Sequence, residues 1–177
     1  MNEQLISRNN EILSQFKAIS LRKRLKNELD RMYANYDQID IEITEKDDPR
    51  VNIYKIEKGL TDDDDRLQTY GFIVTRDYPF RPPKIFFQNR PYIDFLKTRY
   101  ISKSGSDIFK KVTGHNCFCC SSVNCSDNWS PGITLEKIIE EIQFIKRKKR
   151  DIVNKIIADK IKARYLIDDI DLDSWLY

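Results

Sequence analysis

The cysteines of this chain are clustered. All four lie within nine residues, at Cys117, Cys119, Cys120 and Cys125. Cysteine used only as a small buried apolar residue would be scattered along the chain, so the cluster indicates chemistry or metal binding. A thiolate is both a nucleophile and a soft metal ligand, and in a reducing compartment these uses are more common than disulfides.

The metal hypothesis rests on the pattern Cys-x-Cys-Cys-x4-Cys and on His115, the only histidine, which lies just before it. These side chains offer enough soft ligands for a tetrahedral zinc site. However, structural zinc sites usually pair cysteines about two to four residues apart in two separate knuckles, and the adjacent Cys119 and Cys120 are expected to have difficulty reaching one ion. The spacing therefore favours a nucleophile, with no metal and no cofactor. A mixed use, with one cysteine catalytic and others binding zinc or packing, stays open.

Length and charge limit the classes of protein to consider. A chain of 177 residues suits one domain with its own core, and a net charge of +3 gives no strong field for nucleic acid. No apolar run is long enough to span a membrane, and the N-terminus lacks the pattern of a signal peptide. We therefore expect an intracellular, cytoplasmic protein with no membrane or nucleic-acid partner. The basic run 146–150 leaves a nuclear location possible.

The spacing of apolar residues predicts the elements of the first half. Steps of three and four predict a helix within residues 16–36, after a segment 1–15 that is a short helix or a loose tail. Alternation then predicts strands at Ile39 to Ile43 and Val51 to Ile56, with a turn at residues 47–49. A solvated tip at residues 62–65 leads to further strands at Leu67 to Thr75 and Lys84 to Phe87. The predicted fold is α+β, a four-stranded antiparallel meander packed with helices.

The second half is predicted to be mainly helical. The polar segment Ser102 to Lys111 is expected to be a surface insertion. Ser130 is expected to cap a helix with Pro131 in its first turn, and a second apolar stripe from Ile152 to Ile161 predicts another helix. The acidic tail 166–177 ends in aromatic residues that are expected to pack on the domain. The chain thus divides into an extension (1–15), a core domain (16–165) and a tail (166–177).

Three motifs resemble the signatures of one family. Tyr78-Pro-Phe-Arg-Pro-Pro-Lys-Ile-x-Phe resembles the proline motif that follows the third strand of ubiquitin-conjugating enzymes. Gly114-x-x-Cys-Phe resembles their active site, and Trp129-Ser-Pro-x-x-Thr-Leu resembles the segment before their next helix. The motifs occur in the family's order across roughly residues 18–145. The variant Cys-Phe-Cys-Cys further resembles divergent members encoded by large DNA viruses.

The resemblance implies the fold of that family and the transfer of ubiquitin, or a ubiquitin-like protein, through a cysteine thioester. Cys117 is the first choice of acceptor. Cys120 is the second, because it lies nine residues before Trp129, near the family's usual gap, whereas Cys117 lies twelve before it. The family's His-Pro-Asn, whose asparagine stabilises the oxyanion, is missing. Asn116 is the nearest equivalent donor, and the alternatives are Asn124 and Asn128. His115 is a candidate for polarising the thiol and Asp127 for deprotonating the amine.

The resemblance also implies partners. The basic residues Arg22, Lys23 and Lys26 would dock the ubiquitin-activating enzyme, while Phe80 and Pro131 would contact a ubiquitin ligase. The basic residues taken on charge alone indicate only a solvated helix face. The alternative function is a catalytically inactive binding module that keeps the fold. Such a module would hold ubiquitin without a covalent bond or carry zinc in its cysteine loop.

Overall fold

The computed structural model describes residues 3–16, 18–44, 48–58, 65–97 and 103–165. The helices are α1 (Glu3–Ser14), α2 (Ile19–Met32), α3 (Tyr92–Leu96), α4 (Lys103–Thr113) and α5 (Leu135–Tyr165), with a 3₁₀ turn at Cys119–Ser121. The strands are β1 (Gln38–Ile43), β2 (Pro49–Glu57), β3 (Arg66–Ile73), β4 (Lys84–Phe87) and β5 (Arg90–Pro91). None of the helices in the described ranges is both long and apolar enough to cross a membrane.

The strands form one antiparallel sheet in sequence order, which confirms the α+β class. The predicted alternation produces a buried row across four strands, in which paired positions carry Ile41, Val51, Phe72 and Ile85. The sheet has five strands rather than the four expected. The extra strand β5 follows a two-residue turn in which Gln88 and Asn89 have φ values of 51° and 58°. Such turns usually carry Asn-Gly or Asp-Gly, so Gln-Asn gives little signal of a hairpin.

The long helices bury the predicted apolar stripes. In α2 the buried apolar residues are Leu21, Leu25, Leu29 and Met32, and in the first half of α5 they are Leu135, Ile138, Ile139, Ile142 and Ile145. The prediction of a separate helix after residue 150 is wrong, because α5 is continuous for 31 residues. The basic run at its centre consists of strong helix formers, and no glycine or proline interrupts it.

Two local predictions for the second half are also wrong. Residues 103–113 form helix α4 rather than an insertion, and Phe109 on this helix is only 2% exposed. Phe109 lies in the core and Ile108 and Val112 pack against it, so the helix has an apolar side. Helix α5 begins at Leu135, so Ser130 and Pro131 lie in the preceding turn. Its cap is Thr134, whose Oγ1 accepts a hydrogen bond from Lys137 N at 3.3 Å.

The N-terminal segment is a helix, the first of the two predicted alternatives. Helix α1 lies against β1, the edge strand of the sheet. Asn9 is 1% exposed, donates from Nδ2 to Ile39 O at 2.6 Å and accepts at Oδ1 from Ile41 N at 3.2 Å. The helix therefore occupies backbone groups of an edge that would otherwise be open to pairing.

Some predictions lie outside the described residues. These are residue 47 of the predicted turn at residues 47–49, the aspartates 62–64 and the packing of the tail 166–177. The division of the chain at residues 15 and 165 stays a prediction.

Candidate functional site

The cysteine loop, residues 114–134, joins α4 to α5. Gly114 ends α4 with a φ of 74° and donates its N–H to Lys110 O at 2.9 Å, a helix termination that favours glycine. Phe118 is buried and packs edge-on against Phe109, with ring centroids 4.8 Å apart. The Phe118 side chain therefore anchors the loop and leaves Cys117 half-buried at its surface.

Three sulfur atoms meet in this loop. The Sγ of Cys117 lies 2.9 Å from that of Cys119 and 3.2 Å from that of Cys120, and the latter two are 3.9 Å apart. We call these atoms the three-sulfur cluster. Cys119 and Cys120 were expected to have difficulty reaching one ion, yet their sulfur atoms both lie beside that of Cys117. Phe118 already has helical φ and ψ before the 3₁₀ turn, and in such a turn side chains three residues apart eclipse each other. Cys125 is not part of the cluster.

The three thiols differ in acidity. A hydrogen bond from the Cys119 thiol, followed by bonds from the thiol and backbone N–H of Cys120, lowers the pKa of Cys117 to about 7. The hydrogen bond with Cys117 raises the pKa of Cys119, and interactions with Cys117 and then Cys119 raise the pKa of Cys120 to about 11. Near neutral pH, Cys117 is therefore the cysteine that carries negative charge. The charged thiolate is the nucleophilic form of a cysteine side chain.

Glu141 of α5 holds the cysteine loop in place. Its Oε1 accepts hydrogen bonds from Ser122 Oγ at 2.6 Å and from the Tyr92 hydroxyl at 2.7 Å, and its Oε2 accepts from Val123 N at 2.7 Å. Burial, followed by this carboxylate, raises the pKa of Tyr92 well above its usual value, so its hydroxyl remains a donor. No motif in the sequence pointed to Glu141. The available signal was its position, three residues after Ile138 on the buried stripe.

The asparagines of the loop have different surroundings. Asn128 Nδ2 donates to Cys120 O at 2.8 Å and to Ser122 O at 3.0 Å, so its amide hydrogens position the loop and are not free for an oxyanion. Asn116 is exposed beside Cys117. Asn124 is half-buried, and its backbone N–H donates to Ser122 Oγ at 3.0 Å. Of the three asparagines predicted as oxyanion donors, Asn116 is therefore the one that is both exposed and adjacent to the Cys117 thiol.

The remaining polar candidates lie at the surface of the loop. His115 is exposed, and its backbone N–H donates to Thr113 Oγ1 at 3.2 Å. Asp127 is exposed and accepts a hydrogen bond from Ser126 Oγ at 3.3 Å. His115 also lines a groove of about 640 Å³ between α4, the cysteine loop and α5.

A hydrogen bond connects the proline-rich turn, residues 78–83, to Trp129 in the cysteine loop. Trp129 Nε1 donates to Pro79 O at 2.8 Å. The Tyr78 hydroxyl lies 2.7 and 2.9 Å from the two carboxylate oxygens of Glu28, which also accepts from Leu135 N at 2.8 Å. Burial, followed by Glu28, raises the pKa of Tyr78, which keeps it protonated. Buried Glu28 thus joins α2, the turn and α5, and it too occupies a buried stripe of its helix.

The predicted ligase-contacting residues are exposed. Phe80 is 77% exposed at the tip of the proline-rich turn, and Pro131 is exposed in the cysteine loop. Arg24, which is paired with Glu28, donates from Nη2 to Pro131 O at 3.2 Å. The backbone of Pro131 is therefore tied to α2.

The predicted basic surface for the activating enzyme is partly engaged by α1. Arg22 Nη1 donates to Ser14 O at 3.1 Å, and Lys26 Nζ contacts Asn10 Oδ1 at 3.3 Å and Asp30 Oδ2 at 3.2 Å. Lys23 is exposed. Helix α1 therefore contacts two of the three residues expected to form this surface.

Comparison with known proteins does not add a family to these observations. The chain matches no protein-family model, and no curated protein is significantly similar to it. The cysteine loop and the elements that hold it therefore carry the functional assignment.

Proposed function

We propose that this protein carries ubiquitin, or a ubiquitin-like protein, as a thioester on Cys117 and transfers it to an amine. The observation that supports this most directly is the hydrogen bond between Trp129 and Pro79. It joins two separate segments that resemble ubiquitin-conjugating enzymes, and the cysteine loop contains both Trp129 and Cys117. The proposal implies an intracellular protein whose partners are the activating enzyme and a ligase.

The proposed reaction has two acyl transfers. The Cys117 thiolate attacks the carbonyl carbon of a ubiquitin thioester on the activating enzyme, a new carbon–sulfur bond forms, and the old one breaks. The departing thiolate takes up a proton. A lysine amine then attacks the carbonyl carbon on Cys117, the amide bond forms, and the Cys117 thiolate leaves while the amine loses a proton. Asn116 is the proposed donor to the oxyanion in both steps.

The surroundings of Cys117 support this chemistry. An acyl carrier needs an accessible sulfur on a rigid support, because small displacements from the reactive geometry reduce the rate strongly. The buried Phe118 ring holds the loop within the cluster, and the Glu141 carboxylate holds it just after the cluster. The exposed Phe80 supplies an apolar contact for a ligase, and Lys23 and Lys26, both exposed, belong to the proposed surface for the activating enzyme.

A thioester assay tests the proposal. The full chain is incubated with activating enzyme, ATP and ubiquitin, and the products are separated on a non-reducing gel. We expect a shifted band that a reducing agent removes, that Cys117→Ala abolishes and that Cys125→Ala retains. Loss of the band in Cys120→Ala with retention in Cys117→Ala would move the acceptor to Cys120. Absence of the band in the wild-type chain would overturn the proposal.

The convergence of three sulfur atoms favours a second candidate function, a binding module whose loop holds a metal ion. A chain of this kind would bind ubiquitin without forming a thioester. Chemical-shift changes in labelled ubiquitin, together with no shifted band on the gel, would support the module over the enzyme.

A further inference from the structure

The distances within the three-sulfur cluster are shorter than ordinary packing but near those of a metal site. Non-bonded heavy atoms pack at about 3.5–4.0 Å, and two of the three sulfur pairs, at 2.9 and 3.2 Å, are closer. Zinc–sulfur bonds of about 2.3 Å in tetrahedral geometry place sulfur atoms about 3.8 Å apart. The third pair, at 3.9 Å, already has this separation. The other two pairs are shorter than this third pair by 1.0 and 0.7 Å, differences that small side-chain rotations can supply.

The cluster is held by groups that are not themselves ligands. Asn128 binds the carbonyl oxygen of Cys120, Glu141 binds the next residues of the loop, and the Phe118 ring lies in the core. Hydrogen bonds of this kind orient metal ligands.

The donor set identifies the class of ion. Three thiol sulfurs are soft ligands, which select zinc or cuprous copper over magnesium and calcium. Cys125 lies outside the cluster, and Cys120 within it is exposed. An ion bound by Cys117, Cys119 and Cys120 would therefore face solvent on one side. Zinc would complete four-coordination there with water or another ligand, and cuprous copper needs no fourth ligand.

We propose that Cys117, Cys119 and Cys120 together bind one soft d¹⁰ metal ion, Zn²⁺ or Cu⁺, as three thiolates. Binding forms three metal–sulfur bonds and releases to solvent the protons that the thiols still carry, with no change of oxidation state. A further consequence rests on the proposed function. Because the ion engages the Cys117 sulfur, it blocks thioester formation, and metal occupancy then controls whether the protein can accept ubiquitin.

Metal titration of the full chain tests the site without any ubiquitin component. The chelator-treated, fully reduced protein is titrated with Zn²⁺ against a chromophoric chelator, and anaerobically with Cu⁺ against a cuprous chelator. We expect one equivalent to bind and three of the four thiols to become protected from alkylation. Co²⁺ used as a spectroscopic probe is expected to show sulfur-to-metal charge-transfer bands. Comparison of the two dissociation constants shows which ion the three thiolates bind more tightly.

Variants of neighbouring cysteines provide the matched control. Cys119→Ser and Cys120→Ser are each expected to weaken binding at least about tenfold, since even outer-shell changes at metal sites cost that much. Cys125→Ser, in the same loop but outside the cluster, is expected to bind like the wild type. Circular dichroism checks that each variant is folded. Failure of the wild type to bind either ion stoichiometrically, or equal losses in Cys125→Ser and Cys119→Ser, would overturn the site.

A second experiment tests the consequence for thioester formation. The assay is run with and without one equivalent of Zn²⁺ or Cu⁺, and each protein is compared with itself. The thioester yield of the wild type is expected to fall with the ion, and the yield of Cys119→Ser is expected to fall less because its site is occupied less. Equal falls in both would overturn the metal control. A wild type that binds metal but never forms a thioester would refute the proposed function and leave the site intact.

Discussion

The chemistry of the cysteine loop depends on single side chains at some distance along the sequence. Glu141 accepts hydrogen bonds from Ser122, Val123 and Tyr92. Glutamine at this position can accept at its oxygen but presents an NH₂ group where Oε2 now accepts. The neighbouring Glu140 is exposed and pairs only with Lys137 among the contacts found in the described residues.

We therefore expect Glu141→Gln to lower the free energy of unfolding by about 1–3 kcal/mol, because a partly buried backbone N–H loses its acceptor. Glu140→Gln is expected to change it by less than about 0.5 kcal/mol, since an exposed ion pair contributes little. Urea unfolding of both variants checks this. Equal effects would mean that the three hydrogen bonds of Glu141 do not hold the loop.

The acidity of Cys117 is likewise set by contacts of a single side chain. With a pKa of about 7, Cys117 gains thiolate as the pH rises through neutrality, while the pKa of about 11 keeps Cys120 a thiol until much higher pH. In the metal-free protein, alkylation of Cys117 by iodoacetamide is therefore expected to level off above about pH 8, because little thiol then remains to ionise. Alkylation of Cys120 should still rise there. Mass spectrometry of the labelled peptides measures both profiles, and identical profiles would contradict the difference in acidity.

Substitution of a neighbouring thiol tests the cause of that acidity. The Cys119 thiol makes the largest contribution to lowering the pKa of Cys117. Cys119→Ala removes this hydrogen bond, so we expect the alkylation profile of Cys117 to move to higher pH. Cys125→Ala is the control and is expected to leave the profile in place.

Among the elements, α1 is tied to the sheet most clearly by one residue. Asn9 bonds to the backbone of Ile39 and Ile41 on the edge strand β1, whereas the adjacent Asn10 contacts only Lys26 among the described hydrogen bonds. Residues 1–15 were predicted to be an N-terminal extension, and α1 within them contributes the buried Leu13 to the core cluster.

Asn9→Ala is expected to lower the free energy of unfolding by about 1–3 kcal/mol, because a buried backbone N–H and a carbonyl lose their partners. Asn10→Ala is expected to cost less than about 0.5 kcal/mol, as is usual for surface substitutions. Thermal or urea unfolding compares the two, and hydrogen exchange at Ile41 N reports the local effect. A larger loss for Asn10→Ala would contradict the assigned role of Asn9.

At the scale of the whole molecule, Glu28 connects segments that are far apart in the chain. It lies on α2, accepts from the Tyr78 hydroxyl in the proline-rich turn and accepts from Leu135 N at the start of α5. The cysteine loop ends next to this junction, where Trp129 binds Pro79. The orientation of the loop is therefore coupled to the packing of α2 and α5.

Tyr78→Phe should destabilise the fold by about 1.5–3 kcal/mol, the usual range for a hydrogen bond to a charged group. Tyr54→Phe, at a half-buried position on β2, is the control and is expected to cost less than about 0.5 kcal/mol. Urea unfolding measures both changes. A loss for Tyr54→Phe as large as that for Tyr78→Phe would mean that the bond to Glu28 adds nothing specific.

Local patterns were sufficient to predict much of the fold. The apolar stripes of α2 and of the first half of α5 and the alternation in β1 and β2 repeat every few residues, so each could be read within one short window. The clustering of the cysteines likewise identified the loop that contains the candidate site. The thioester chemistry, which rests on resemblance, stays a proposal.

The other features depend on contacts between residues distant along the chain. The apolar side of α4 is buried only because Phe109 packs against Phe118 of the cysteine loop. Glu28 and Glu141 accept their hydrogen bonds only because other segments place the donors beside them. The three sulfurs converge because a 3₁₀ turn, held from outside by Asn128 and Glu141, folds them together. Spacing along the chain limits which side chains can meet, but the packing of the helices and the loop determines which of them do.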